Sequence, residues 1–117
     1  PSNYSGYPSL KDDAELFKSG QLMYDRKLQV LAHVNGDAAI EQFLSAVEAA
    51  KKKSVPNKKS GFSNLDNYRT VSLHSQMASQ AHLSKMVALK VIPSFFGAHA
   101  YYWGDWHRDE TLGPERA

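Results

Sequence analysis

Residues 28–50, LQVLAHVNGDAAIEQFLSAVEAA, change their apolar rhythm once, at Asn35-Gly36-Asp37, and that change decides the fold. Before it, Leu28 to Ala32 is a short, mostly apolar run broken only by Gln29. It lacks strict alternation, as expected of a strand covered on both faces, and it ends at His33. After it, Ala39, Ile40, Phe43, Leu44, Val47 and Ala50 recur at three and four residues, the spacing of a helix with one apolar side. The spacing predicts a helix from about Asp37 to Lys52. Asp37 can cap its first N–H groups, and the closing lysines suit the negative end of the helix dipole.

The same rhythm extends outward. Upstream, Asp12 to about Arg26 reads as a helix with Ala14, Phe17, Gln21 and Tyr24 on one side and Lys11, Glu15, Lys18 and Asp25 toward water. Downstream, Ser54 to Asn67 carries Pro56, Gly61 and several Ser and Asn residues, and reads as a surface connection. Tyr68 to Leu73 follows as a second strand, with Val71 and Leu73 on one side, Thr70 and Ser72 on the other, and His74 at its end. Ser79 to Lys90 reads as a helix that places Leu83, Met86, Val87 and Lys90 on neighbouring turns. Val91 to Phe96 is the third strand, short or irregular enough to hold Pro93. Ala98 to Gly113 reads as an aromatic loop, and Pro114 as the first position of another helix.

Strand, helix and strand in alternation imply an α/β fold in which crossover helices join parallel strands. Three strands cannot close a barrel, so the expectation is that residues 1–117 are a segment of a larger β/α enzyme, with a complete compact three-strand domain as the alternative. Active sites in such folds collect at the C-terminal ends of the strands, where His33, His74 and the loop after Phe96 all fall.

Composition narrows the chemistry. With 117 residues, 42% hydrophobic and 11% aromatic, the chain carries one domain's worth of core. No run approaches the roughly 18 apolar residues that cross a bilayer, and the cytoplasm is the expected compartment. Without cysteine there are no disulfides, thiolates or cysteine zinc sites, so a metal would be held by His, Asp or Glu. A net charge of +2, with Lys51, Lys52, Lys53, Lys58 and Lys59 clustered, is a weak footprint for RNA, and neither nucleic acid nor membrane is an expected partner. Phosphate-binding glycine motifs are absent. Ser72 and Ser75 stand near His74 without an acid–base arrangement or oxyanion hole in the sequence, which leaves metal-activated water as the better nucleophile.

Taken singly, His33 and His74 fit a buried hydrogen-bonding role as well as a metal. Taken together they occupy corresponding exits of neighbouring strands, whose axes run about 4.8 Å apart. Two imidazoles facing one mouth could share an ion at about 2.0–2.1 Å from each nitrogen. Asp37 is better spent on capping. In the run from His99 to Asp109, His99, Trp103, Asp105 and His107 are candidates for substrate binding, with aromatic area and polar groups side by side. The competing reading anchors Tyr101, Tyr102, Trp103 and Trp106 against the body and pairs Arg108 with Asp105 or Asp109. Tyr4, Tyr7 and Pro8 receive no chemical role.

Three stretches carry a resemblance: His33-Val34-Asn35-Gly36-Asp37-Ala38-Ala39-Ile40, His74-Ser75-Gln76, and Phe95 through Asp109, extended by Leu112 to Ala117. Together they resemble the amidohydrolase superfamily, particularly its family 3 branch of YtcJ-like proteins and N-substituted formamide deformylases. The resemblance implies a distorted TIM barrel, with this segment supplying about the fifth to seventh strands. It implies that His33 and His74 are metal ligands, with one or two divalent ions, zinc foremost, in the full-length enzyme. The implied substrate is a small amide or formamide, attacked by metal-activated water, and the full-length form could be a homodimer. The family's first-strand HxH pair, bridging ligand and later catalytic aspartate have no counterpart in these residues, so the segment alone is expected to be inactive and no catalytic residue is assigned. Its usual His-Ala-Gln reads His74-Ser75-Gln76 here, and Leu73 stands where an acidic residue is usual. The alternative is a noncatalytic ligand-binding or regulatory module on the same scaffold.

Overall fold

The computed structural model describes residues 12–53 and 68–115. Its elements follow as α1 (Asp13–Asp25), β1 (Leu31–Val34), α2 (Asp37–Lys53), β2 (Val71–His74), α3 (Gln80–Leu89), β3 (Ile92–Phe95) and α4 (Ala98–Trp106), closed by a π-helical segment, His107–Leu112. The sheet runs β1-β2-β3 and is parallel throughout, with Leu31 opposite Val71 and Val71 opposite Ile92. This is the α/β arrangement that the alternating rhythm predicts. Three strands and their crossover helices form a partial TIM-barrel-like segment.

The clearest helix in the sequence is the centre of the core. All six residues of the α2 stripe are buried, and they meet Tyr24 of α1, Val34 of β1, Met86 of α3 and Val91. α1 packs on α2 beside Gly20, whose Cβ position lies at an ordinary contact distance, 3.9 Å, from Ala46. Lys85 ties α3 to α2 through Glu41 at 2.5 Å. Burial raises the Glu41 pKa, but the bonds from Lys85 and Ser45 and the Lys85 charge outweigh it and hold the carboxyl below its usual range.

The termini of the helices also follow local chemistry. Asp12 caps α1 by accepting from the Ala14 N–H at 2.8 Å, and Asp37 accepts from the Ala38 N–H at 2.7 Å. Ser79 and His82 exchange bonds as a capping box at the start of α3. Lys90 closes α3 in the left-handed conformation, φ 54.

Several expectations are corrected. The first strand begins at Leu31, not Leu28, and His33 lies inside it instead of after it. The second strand begins at Val71, and His74 is its last residue. Its buried side is the polar one: Thr70 and Ser72 face the helices, while Val71 and Leu73 are half-buried. The polarity is tolerated because Thr70 bonds the Tyr24 hydroxyl at 2.7 Å and Ser72 bonds the Ser75 hydroxyl at 2.6 Å. Val87, expected on the inner side of its helix, is 73% exposed.

The largest correction is the expected aromatic loop, which is helical from Ala98 through Leu112. A single internal glycine, here Gly104, weakens a helix without ending it. Gly113, at φ 78, ends this segment and Pro114 and Glu115 lie in a turn; the rest of the helix expected from Pro114 lies outside the described residues. The first strand, expected to be covered on both faces, lies in a sheet that among the described residues has helices on one. On the other, the rows Leu31–Val71–Ile92 and His33–Leu73–Ser94 lie side by side, with Leu31 and Ile92 about half-exposed. The connection at 54–67, Lys58, Lys59, Tyr4, Tyr7 and Pro8 lie outside the described residues. No helix among the described residues is long and apolar enough to cross a membrane.

Candidate functional site

Strand alternation alone would separate the two candidate imidazoles. His33 shares the open face with Leu73, whereas Thr70 and Ser72 belong to the helix-covered side, on which His74 would be next. His74 escapes that side through its backbone. It and Ser75 both take left-handed φ values, 68 and 48, a conformation that costs a non-glycine residue free energy and concentrates at functional sites. The result is a His33–His74 ring pair with centroids 4.6 Å apart in an edge-on arrangement.

Hydrogen bonds hold the bend. The Ser75 N–H donates to the Val34 carbonyl at 2.9 Å, and the Met77 N–H to the Asn35 carbonyl at 2.9 Å, which joins the exits of β1 and β2. The buried Ser75 hydroxyl meets Ser72 from below. Two polar atoms enclosed at this junction, His74 Nδ1 and Asn35 Oδ1, have no hydrogen-bond partner among the described residues.

The third strand exit brings α4 over the pair. The His99 N–H donates to the Phe96 carbonyl at 3.0 Å, and the His99 ring lies 5.3 Å from His74, 4.9 Å from Phe96 and 5.5 Å from Trp103, centroid to centroid. Beyond it, the Gln76 side-chain amide bonds His107 Nε2, linking the loop after β2 to the end of α4. His107 Nδ1 faces the Thr111 hydroxyl at 3.1 Å, and that hydroxyl donates to the His107 carbonyl. With Nδ1–H donating to Thr111, Nε2 is left as the acceptor for Gln76.

A pocket of about 290 Å³ opens between these parts, lined by His74, Gln76, Phe95, Phe96, Gly97, His99, Ala100, Gly104, His107 and Leu112. Most of that lining is apolar. The structure therefore places His99 and His107 in one pocket with His74, and it sets Trp103 against His99. Asp105 lies on the outer side of α4, paired with Arg108 at 3.1 Å. Arg108 also bonds Asp109 at 2.7 Å and thereby holds the Asp109 carboxyl below the usual carboxylate range. Tyr101, expected in the competing reading to anchor the segment, is 85% exposed.

Sequence reasoning missed the apolar lining: Phe95, Phe96, Ala100, Gly104 and Leu112. Ala100, Gly104 and His107 are spaced i, i+4, i+7, so a helical reading of this segment would have gathered them on one side. Gln76 stood out only within the His74-Ser75-Gln76 stretch, and its bond to His107 gave no signal because the partner is 31 residues away.

The donors fit part of a metal shell. Two imidazoles on one tetrahedral ion stand about as close as this pair does, and Nδ1 of His74 is without a hydrogen-bond partner among the described residues. Among the described residues, no three His, Asp or Glu side chains gather as a ligand set. Against known proteins, a model of the amidohydrolase family matches residues 2–117. No curated protein and no solved structure matches the chain.

Proposed function

Because this chain belongs to the amidohydrolase family, we propose that it supplies about the fifth to seventh strands of a metal-dependent hydrolase acting on the C–N bond of small amides or N-substituted formamides. The single observation that supports the reading best is the pair of imidazoles from adjacent strand exits, 4.6 Å apart, with one ring nitrogen enclosed and unpartnered. His33 and His74 would hold a divalent ion, zinc foremost, with further donors from outside the described residues. When bound, the ion supplies an acidified water and polarises the substrate carbonyl.

The chain's own groups do the rest. The left-handed turn at His74 and Ser75 fixes the direction of the ligand ring, as rigid support of a reacting centre requires. Phe95, Phe96, Ala100 and Leu112 keep water from the flank of the pocket and receive the apolar part of the substrate. His99, packed between His74 and the edge-on Trp103 ring, stands where it can donate a hydrogen bond to a carbonyl or amide. Gln76 and Thr111 hold His107 at the pocket wall. None of these residues is assigned as the general base, and the preference for formamides rests on the resemblance of residues 95–109 to the deformylase branch.

Metal content and hydrolysis of N-substituted formamides in the intact protein test this reading, compared with His33→Ala and His74→Ala at matched folding. Each substitution is expected to lower metal affinity at least about 10-fold, the scale on which even supporting groups of a metal site act, and to remove turnover. Unchanged metal affinity in both variants would sink the assignment. Metal and ligand binding without turnover in the intact protein would favour the noncatalytic module.

A further inference from the structure

Nothing in the fold asks for a glycine at position 104. It stands inside α4 without a left-handed φ, and a Cβ placed on it meets no atom within 4 Å among the described residues. A glycine within a helix is less stable than an alanine. At Gly20 the Cβ position lies at an ordinary contact distance, 3.9 Å, from Ala46 of the neighbouring helix. Gly104 instead has open space at its Cβ position and is one of the residues that line the pocket.

That pocket has a polar end and an apolar flank. His74 and His99 line its polar end, while Phe95, Phe96, Ala100 and Leu112 supply the apolar lining beside Gly104. We infer that Gly104 determines specificity: the space above it admits an apolar substituent, of the size of a short alkyl chain, carried by a substrate whose carbonyl faces the imidazoles. The inference rests on the hydrolase reading for the identity of the carbonyl compound, and on the pocket alone for the size limit. A Cβ at 104 meets no atom within 4 Å among the described residues, so an added side chain there takes up space at the pocket wall.

Binding and turnover measured separately test it. Formamide, N-methylformamide and N-butylformamide are titrated into the intact protein and its Gly104→Ala and Gly104→Leu variants, with tryptophan fluorescence reporting affinity and product release reporting hydrolysis. In the parent protein affinity rises with alkyl length. Gly104→Leu loses about 10-fold or more on N-butylformamide, the scale set by a change of one or two methylenes in an apolar pocket, while formamide binds unchanged. Gly104→Ala melts at a higher temperature yet loses part of the gain for N-butylformamide. Affinities for N-butylformamide that are equal in the parent and Gly104→Ala, with the melting temperature raised, overturn the inference even if the leucine variant does not fold. A size-dependent affinity series without turnover supports the limit at Gly104 and overturns the hydrolase reading instead. Turnover of all three amides at unchanged relative rates in both variants overturns the limit and leaves the hydrolase reading standing.

Discussion

His74, Ser75 and Lys90 all take left-handed backbone without being glycine, at φ 68, 48 and 54, and they differ in what holds them there. At Ser75 the N–H bond to Val34 and the buried hydroxyl bond to Ser72 over-determine the bend, and what they orient is the His74 ring. Lys90 closes a helix, where glycine would do the same work without strain. Lys90→Gly is therefore expected to raise stability by about 0.5–1 kcal/mol, measured as a higher urea midpoint at unchanged slope. The sequence placed His74 at a strand exit but held no sign of its torsion, because histidine does not announce a left-handed conformation as glycine does. Its approach to His33 depends on that torsion.

Between elements, the seam of α1 with β2 is polar at its centre. Tyr24 stacks on Tyr68 at 4.7 Å, its hydroxyl bonds Thr70, and the Tyr68 hydroxyl donates to the Tyr24 carbonyl at 3.0 Å. Helical spacing put Tyr24 on the inner side of α1. The hydroxyl pair was illegible because Thr70 lies 46 residues away and reads as an ordinary strand residue. Tyr24→Phe leaves the buried Thr70 hydroxyl without that partner and is expected to cost about 1–3 kcal/mol in chemical denaturation. Burial raises the Tyr24 pKa, opposed by the Thr70 bond and helped by Tyr68. A raised folded-state pKa contributes stability fully present below the unfolded value of about 10 and lost as pH rises through the folded one. The parent protein should lose stability above about pH 10, and Tyr24→Phe should lack that part of the loss in a series of melts against pH.

At the scale of the whole molecule, α2 is the hub on which α1, α3 and the sheet are assembled, and Leu44 is completely buried within it. Leu44→Ala is expected to cost about 2–5 kcal/mol, read from the denaturant midpoint. This part of the architecture was legible because six stripe residues repeat one period and every one of them is buried. The helix at 98–112 was not, since its aromatics are mostly exposed and form no single inner stripe. The open sheet face was also unannounced, for β1 residues read the same whether one face or both are covered. Taken with the strand exits, the hub implies a division of labour. Foldedness is underwritten on the helix side and chemistry is staged at the far rim, with few shared partners between them. Changes at the rim can accumulate almost independently of changes in the hub, which gives such a scaffold latitude to acquire new substrates while its thermodynamic foundation stays put.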